Sequence, residues 1–236
     1  NTLEEGLLDP SAPSPTAHWL ERPGDVSAAL DAVVAGDVLA GPLRSDATGL
    51  SGHSRGAYTA WVGAGAALQA DLIEAGCAGE SELFDSRSCT SAEQDAFLSG
   101  ELDDPRFIST IVFAGTIRRA MFGDTGHRSV HSPFLAMTGT NDGPDGPGQF
   151  DSMDGIDFRW VEVEGGCHES FNLGVEASSL QPCETLDVDQ GWALTATYAL
   201  AFLRHTVLGD ESAQVVGILD GSTAVDPVAS IQRKVP

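Results

Sequence analysis

The sequence predicts an α/β fold, a mostly parallel β-sheet flanked by helices. Three observations carry that prediction. Short apolar runs of strand character recur: "ISTIVFAG" (Ile108 to Gly115), "SPFLAMTGT" (Ser132 to Thr140) and "FRWVEVEGG" (Phe158 to Gly166). Stretches with one apolar face at helical spacing lie around them. Strands that alternate with helical stretches pack as a parallel sheet with helices on its faces.

Residues 1 to 23 are rich in Pro and Ser and read as loop. "RPGDVSAALDAVVAG" then reads as a helix opened by Pro23, with Val26, Leu30, Val33 and Val34 on one face. "ATGLSGH" is a short strand, and "SRGAYTAWVGAGAALQADLIEAG" reads as one long, Ala-rich helix. Residues 76 to 106 turn polar and acidic around Cys77 and Cys89, as a stapled surface excursion or a lid. After the three apolar strands, "GWALTATYALAFLRHTVLG" reads as a closing amphipathic helix that stops at Gly209. Residues 1 to 236 thus form a single domain.

Composition narrows the partners. Asp and Glu number 35 against 12 Lys and Arg, for a net charge of −23, and Lys234 is the only lysine. Such a surface repels nucleic acid and anionic membranes, and is compatible with a salty or extracellular setting. No apolar run reaches 18 residues, so no membrane-spanning helix is expected. The opening "NTLEEGLLDPSAPSP" carries no signal-peptide pattern, as in a secreted protein after processing. The four cysteines fall as two sequential pairs, Cys77/Cys89 and Cys167/Cys183, and three connectivities are possible. Sequential pairing closes loops of 12 and 16 residues, each stabilising by about 3 kcal/mol. No C-x-x-C is present, which argues against zinc or thioredoxin-like chemistry. Two disulfides imply an oxidising compartment, so the protein is expected to be secreted or periplasmic. Asp142, Asp145, Asp151, Asp154 and Asp157 lack the spacing of a calcium loop, and no metal or cofactor is expected.

The stretch "TGLSGHSRGAYTAW", Thr48 to Trp61, holds a G-x-S-x-G string. With 27 Gly and 21 Ser in the chain, such a string arises by chance about 0.3 times. The motif decides nothing by itself; its context does. In parallel sheets, chemistry gathers just beyond the C-terminal ends of the strands. Three polar residues stand there: Ser54 after "ATGLSGH", Asp142 after "FLAMTGTN" and His168 after "FRWVEVEGGC". A serine hydroxyl becomes a nucleophile when an imidazole takes its proton, and a carboxylate fixes and stabilises that imidazole. Gly52 and Gly56 flank the elbow of His53 and Ser54, where a sharp turn leaves little room for side chains.

Asp145 is the nearest rival for the acid, since one loop could present either carboxylate. Among other histidines, His53 sits beside Ser54 and is expected to point away from its face. His127 and His131 precede Asp142, His205 lies inside the last helix, and His18 precedes the nucleophile. Cys167 adjoins His168, so a bridge to Cys183 would anchor the loop of the base.

The order Ser…Asp…His belongs to the α/β-hydrolases. The segments "ERPGDVSAALDAV", "GLSGHSRGAYTA", "SPFLAMTGTND" and "VEVEGGCHESF" resemble that superfamily. The likeness is to its serine branch, related to platelet-activating factor acetylhydrolases and predicted dienelactone hydrolases, and it spans most of residues 20 to 207. It implies an α/β-hydrolase fold and a carboxylic-ester hydrolase with Ser54 as nucleophile, Asp142 as acid and His168 as base. It also implies an oxyanion hole with the backbone N–H of Arg55 as one donor. Members carry several strands ahead of the elbow, including a loop that gives the second donor. Here 53 residues precede Ser54, and "NTLEEG" resembles the segment that follows those strands. The expectation is therefore a domain partial at its N-terminus, with the remaining strands on a missing segment or a complementary chain. The acidic surface favours a neutral ester as substrate, small or polymeric. An acyltransferase using the same triad, or a non-catalytic fragment or binding subunit, are the alternatives.

Overall fold

A computed structural model describes residues 15–36, 46–79, 89–99, 102–172 and 185–236. In chain order its elements are helix α1 (Pro15–Ala35), strand β1 (Thr48–His53), helices α2 (Arg55–Gly63), α3 (Ala70–Cys77) and α4 (Ser91–Leu98), and strand β2 (Phe107–Phe113). A short helix α5 (Arg119–Phe122) and a 3-10 turn (Gly126–Ser129) lead into strand β3 (Phe134–Gly139). Helix α6 (Gly146–Ser152), strand β4 (Phe158–Val163) and a second 3-10 turn (His168–Phe171) follow. Helices α7 (Val188–Leu208) and α8 (Ala213–Asp220) and strand β5 (Ala229–Lys234) complete the described chain.

The five strands form one sheet in the order β1-β2-β3-β4-β5. The first four run parallel and β5 is antiparallel to β4. The fold class is thus α/β with a mostly parallel sheet between helices. Strand side chains alternate between the two faces, as the pleat requires. Leu50, Val112, Phe134, Ala136, Phe158 and Trp160 join the core under α2, where Trp61 is fully buried. The Trp61 ring stacks on Phe134 at 3.8 Å between centroids. Ile111, Leu135, Met137, Val161 and Val163 face the opposite way, against Leu194, Tyr198 and Phe202 of α7 and Val215, Ile218 and Leu219 of α8. Strand β3 lies in the middle and is buried at every position, which explains its unbroken apolar run.

Several expectations change. The segment read as loop up to residue 23 is helical from Pro15, and Pro23 lies inside α1 rather than opening it. Trp19 and Leu20 therefore join Val26 and Leu30 on its packed face, while Val34 is exposed. The long Ala-rich helix is two helices. The chain breaks after Gly63, and Gly65 takes φ +95°, which a helix cannot accommodate. The disulfide Cys77–Cys89 forms at the end of α3. Beyond it, α4 buries Phe97 beside Ile73 and Val62, so the described part of the excursion belongs partly to the core. Phe97 and Leu98 line a cavity of about 470 Å³ with Val62 and Gly65, at the C-terminal end of α2. Ser54 is at the other end of that helix, nine residues or about 14 Å away. The bridge between Cys167 and Cys183 concerns a residue outside the described ones. Among the described residues no helix is long and apolar enough to cross a membrane.

Candidate active site

Strand β1 ends at His53, and the chain turns within one residue into α2. Ser54 makes that turn with φ 56° and ψ −116°, a conformation costly for a residue with a side chain. The surroundings hold it there. Its N–H donates to the Phe113 carbonyl at 2.9 Å, and its own carbonyl accepts from Ala57 N–H at 2.9 Å. Gly52 is required by space, because a Cβ there would lie 2.0 Å from the Gly56 carbonyl oxygen. Gly56 is not: a Cβ at that position meets nothing within 4 Å. The crowding expected of both glycines thus belongs to Gly52 alone, with the backbone of Gly56 as its cause. Arg55 opens α2, and first-turn N–H groups of a helix have no partner within the helix. Its N–H is therefore the candidate donor to a negative oxygen formed at Ser54.

The other two side chains come from neighbouring strand ends. After β3, Asn141 N–H donates to the Gly166 carbonyl at 2.9 Å, and Asp142 N–H donates back to Gly139 at 3.1 Å. The two loops touch so closely that a Cβ on Gly139 would sit 2.1 Å from the Gly166 oxygen. The 3-10 turn after β4 begins at His168, and Ser170 Oγ accepts from the Cys167 N–H at 2.9 Å. Phe171 anchors the turn in the core against α7.

These supports bring Ser54, His168 and Asp142 into one chain of hydrogen bonds. The His168 Nδ1–H donates to Asp142 Oδ1 at 2.9 Å, and Ser54 O–H donates to Nε2 at 2.8 Å. A carboxylate only accepts, so the proton of neutral His168 lies on Nδ1 and its Nε2 lone pair faces the hydroxyl. Asp142 Oδ1 also accepts from Gly143 N–H at 2.8 Å. Its side chain is 3% exposed against 28% for His168, so the acid is shielded while the imidazole reaches solvent. The chain matches no protein-family model and no curated protein sequence. What the site does is read from its geometry alone.

The rivals have other employment. Asp145 caps α6, its Oδ1 accepting from Gly148 N–H at 2.8 Å. His127 is fully buried and donates to Asp154 at 2.9 Å, with Arg119 3.2 Å from its other nitrogen. His205 on α7 lies 3.2 Å from Glu211. Among the described residues, no group of three metal-ligating side chains comes together.

One contact escaped the sequence. His53 does not turn away from the site: its Nε2–H donates to the main-chain carbonyl of His168 at 2.8 Å. The two imidazole rings lie 4.9 Å apart at 59°. The signal was available in the strand's alternation. Gly49, Ser51 and His53 share one face of β1, and a Cβ on Gly49 would meet Leu203 of α7. That is the face on which the turn of His168 packs.

Proposed function

We propose that the protein is a carboxylic-ester hydrolase of the α/β-hydrolase type, working through Ser54, His168 and Asp142. The observation that carries the reading is the unbroken hydrogen-bond chain from Asp142 through His168 to Ser54, at 2.9 and 2.8 Å. His168 Nε2 takes the Ser54 proton as Oγ attacks the ester carbonyl, and Asp142 balances the imidazolium. The tetrahedral oxyanion is held by the N–H of Arg55. Collapse expels the alcohol, which takes the proton from His168 and leaves an acyl-Ser54. His168 then deprotonates a water that releases the acid and restores the hydroxyl. Removing one oxyanion donor costs about 10²–10³ in turnover, so a second donor bears strongly on the rate. A segment or chain that adds a strand beside β1, the outer strand on that side among the described residues, is the partner this reading assigns. The Cys77–Cys89 disulfide supports an oxidising, extracellular or periplasmic setting.

A fluorophosphonate probe and a panel of neutral esters of increasing acyl length test the reading together. The probe should label Ser54, and Ser54→Ala should lose labelling and about 10⁴–10⁶-fold in kcat. Turnover undiminished in Ser54→Ala would overturn it.

A further inference from the structure

The reacting side chains are presented by separate elements, Ser54 by the turn after β1 and His168 by the 3-10 turn after β4, 114 residues apart. The direct bond between them cannot hold the register throughout a turnover, because Ser54 Oγ loses its proton on acylation and then has nothing to donate. Asp142 grips Nδ1 and fixes the rotation of the ring, but it comes from the loop after β3 and knows nothing of where Ser54 stands. A link between nucleophile strand and base loop that survives acylation has to use other atoms. His53 supplies one.

We propose that His53 is a positioning residue for His168, tying the backbone of the base to the strand that carries the nucleophile. The inference rests on the hydrolase reading above. His53 is the residue immediately before Ser54, so any shift of β1 moves both together. Its Nε2–H bond of 2.8 Å reaches the carbonyl of His168 itself, and the imidazole of His168 starts from that same residue's Cα. Main-chain carbonyls accept and never donate, so His53 keeps its proton on Nε2 and the bond has one polarity. The ring of His53 also fills the space beside that of His168, at 4.9 Å between centroids, which restricts rotation of the base away from Ser54. A misplacement of about 1 Å in such a site costs on the order of 10²-fold in rate. The expected loss therefore falls on the chemical step and leaves substrate binding alone.

Two substitutions separate donor from ring. His53→Gln keeps an N–H at the position of Nε2 and discards the aromatic ring. His53→Phe keeps the ring and discards the donor. For wild type and both variants, kcat and KM are measured on the ester turned over best, beside the rate of fluorophosphonate labelling at Ser54 and the melting temperature. His53→Phe should lose about 10- to 100-fold in kcat and in labelling rate with KM within about twofold, and His53→Gln should return to within about threefold of wild type. Wild-type kcat in His53→Phe would overturn the proposal. So would equal loss in both variants, or a loss appearing in KM alone. A wild-type protein that takes no label and hydrolyses no ester removes the hydrolase reading itself, and with it this role for His53.

Discussion

At the scale of single residues, the site depends on backbone atoms that come too close for any side chain. Gly52 is the sharpest instance, since its missing Cβ leaves room for the Gly56 carbonyl 2.0 Å from where that atom would be. Backbone cannot retreat as a flexible side chain can, and this carbonyl belongs to the first turn of α2. Gly52→Ala must therefore push the start of α2 away and drag Ser54 out of its φ 56° turn. The expected outcome is a fall of about 10²-fold or more in kcat, with a loss of stability of about 1–3 kcal/mol from overpacking. Gly56→Ala is the matched control, because its Cβ enters open space, and it should keep both activity and stability. Kinetics and denaturant melts on the pair decide it. Wild-type activity and stability in Gly52→Ala would show that the elbow tolerates the added Cβ, and an equal loss in Gly56→Ala would show that crowding is not the cause.

At the scale of elements, the sequence revealed what had a period or a punctuation mark. Strands Phe107–Phe113, Phe134–Gly139 and Phe158–Val163 stand within three residues of their apolar runs, and α7 ends at Gly209 with φ 68°, as that glycine suggested. The residues at the site were legible because strand ends in a parallel sheet are themselves predictable. Strand β5, "ASIQRK", was missed because half of its positions are exposed and none is buried, which leaves too little apolar alternation to distinguish it from loop. The alternation of β1 gave the face on which His53 lies, but not its partner, a main-chain oxygen 115 residues later. The same limit hid the link between the Gly126–Ser129 turn and the loop after α6. There His127, fully buried, meets Asp154 at 2.9 Å, while Arg128 grips the same carboxylate at 2.8 and 2.7 Å. Burial holds the His127 imidazole below its ordinary pKa, and the guanidinium groups of Arg119 and Arg128 push the same way against the pull of Asp154. The unfolded chain therefore takes up this proton first. The resulting stability is full above the unfolded value of about 6.5 and is lost as pH falls below it. Denaturant melts from pH 7.5 to 5 should show stability declining on acidification, with a shallower slope in His127→Gln. An unchanged slope in that variant would assign the acid response to other groups.

At the scale of the whole molecule, the dominant fact is the net charge of −23. Even with every Arg and the one Lys matched to a carboxylate, most acidic groups have no cation to face. Described pairs such as Arg106–Asp104, Arg159–Asp157 and Arg204–Asp210 use much of the positive charge locally. Folding gathers the remainder into a body with a radius of gyration of about 18 Å, against about 53 Å for an unfolded chain of this length. Two like charges 10 Å apart in water repel by about 0.4 kcal/mol. At 0.01 M salt the screening length of about 30 Å exceeds the folded radius, whereas at 1 M it is about 3 Å. Salt therefore relieves repulsion in the folded state more than in the expanded one, and the exposed ion pairs it weakens are worth at most about 1 kcal/mol each. The melting temperature should rise between 0.01 and 1 M sodium chloride by about 5 °C or more, since 1 kcal/mol corresponds to about 2–4 °C at this size. Chloride is the appropriate salt, because sulfate also strengthens apolar burial by exclusion from the surface. A melting temperature that falls on adding sodium chloride would mean that the few arginine–carboxylate pairs outweigh the field of the whole acidic surface.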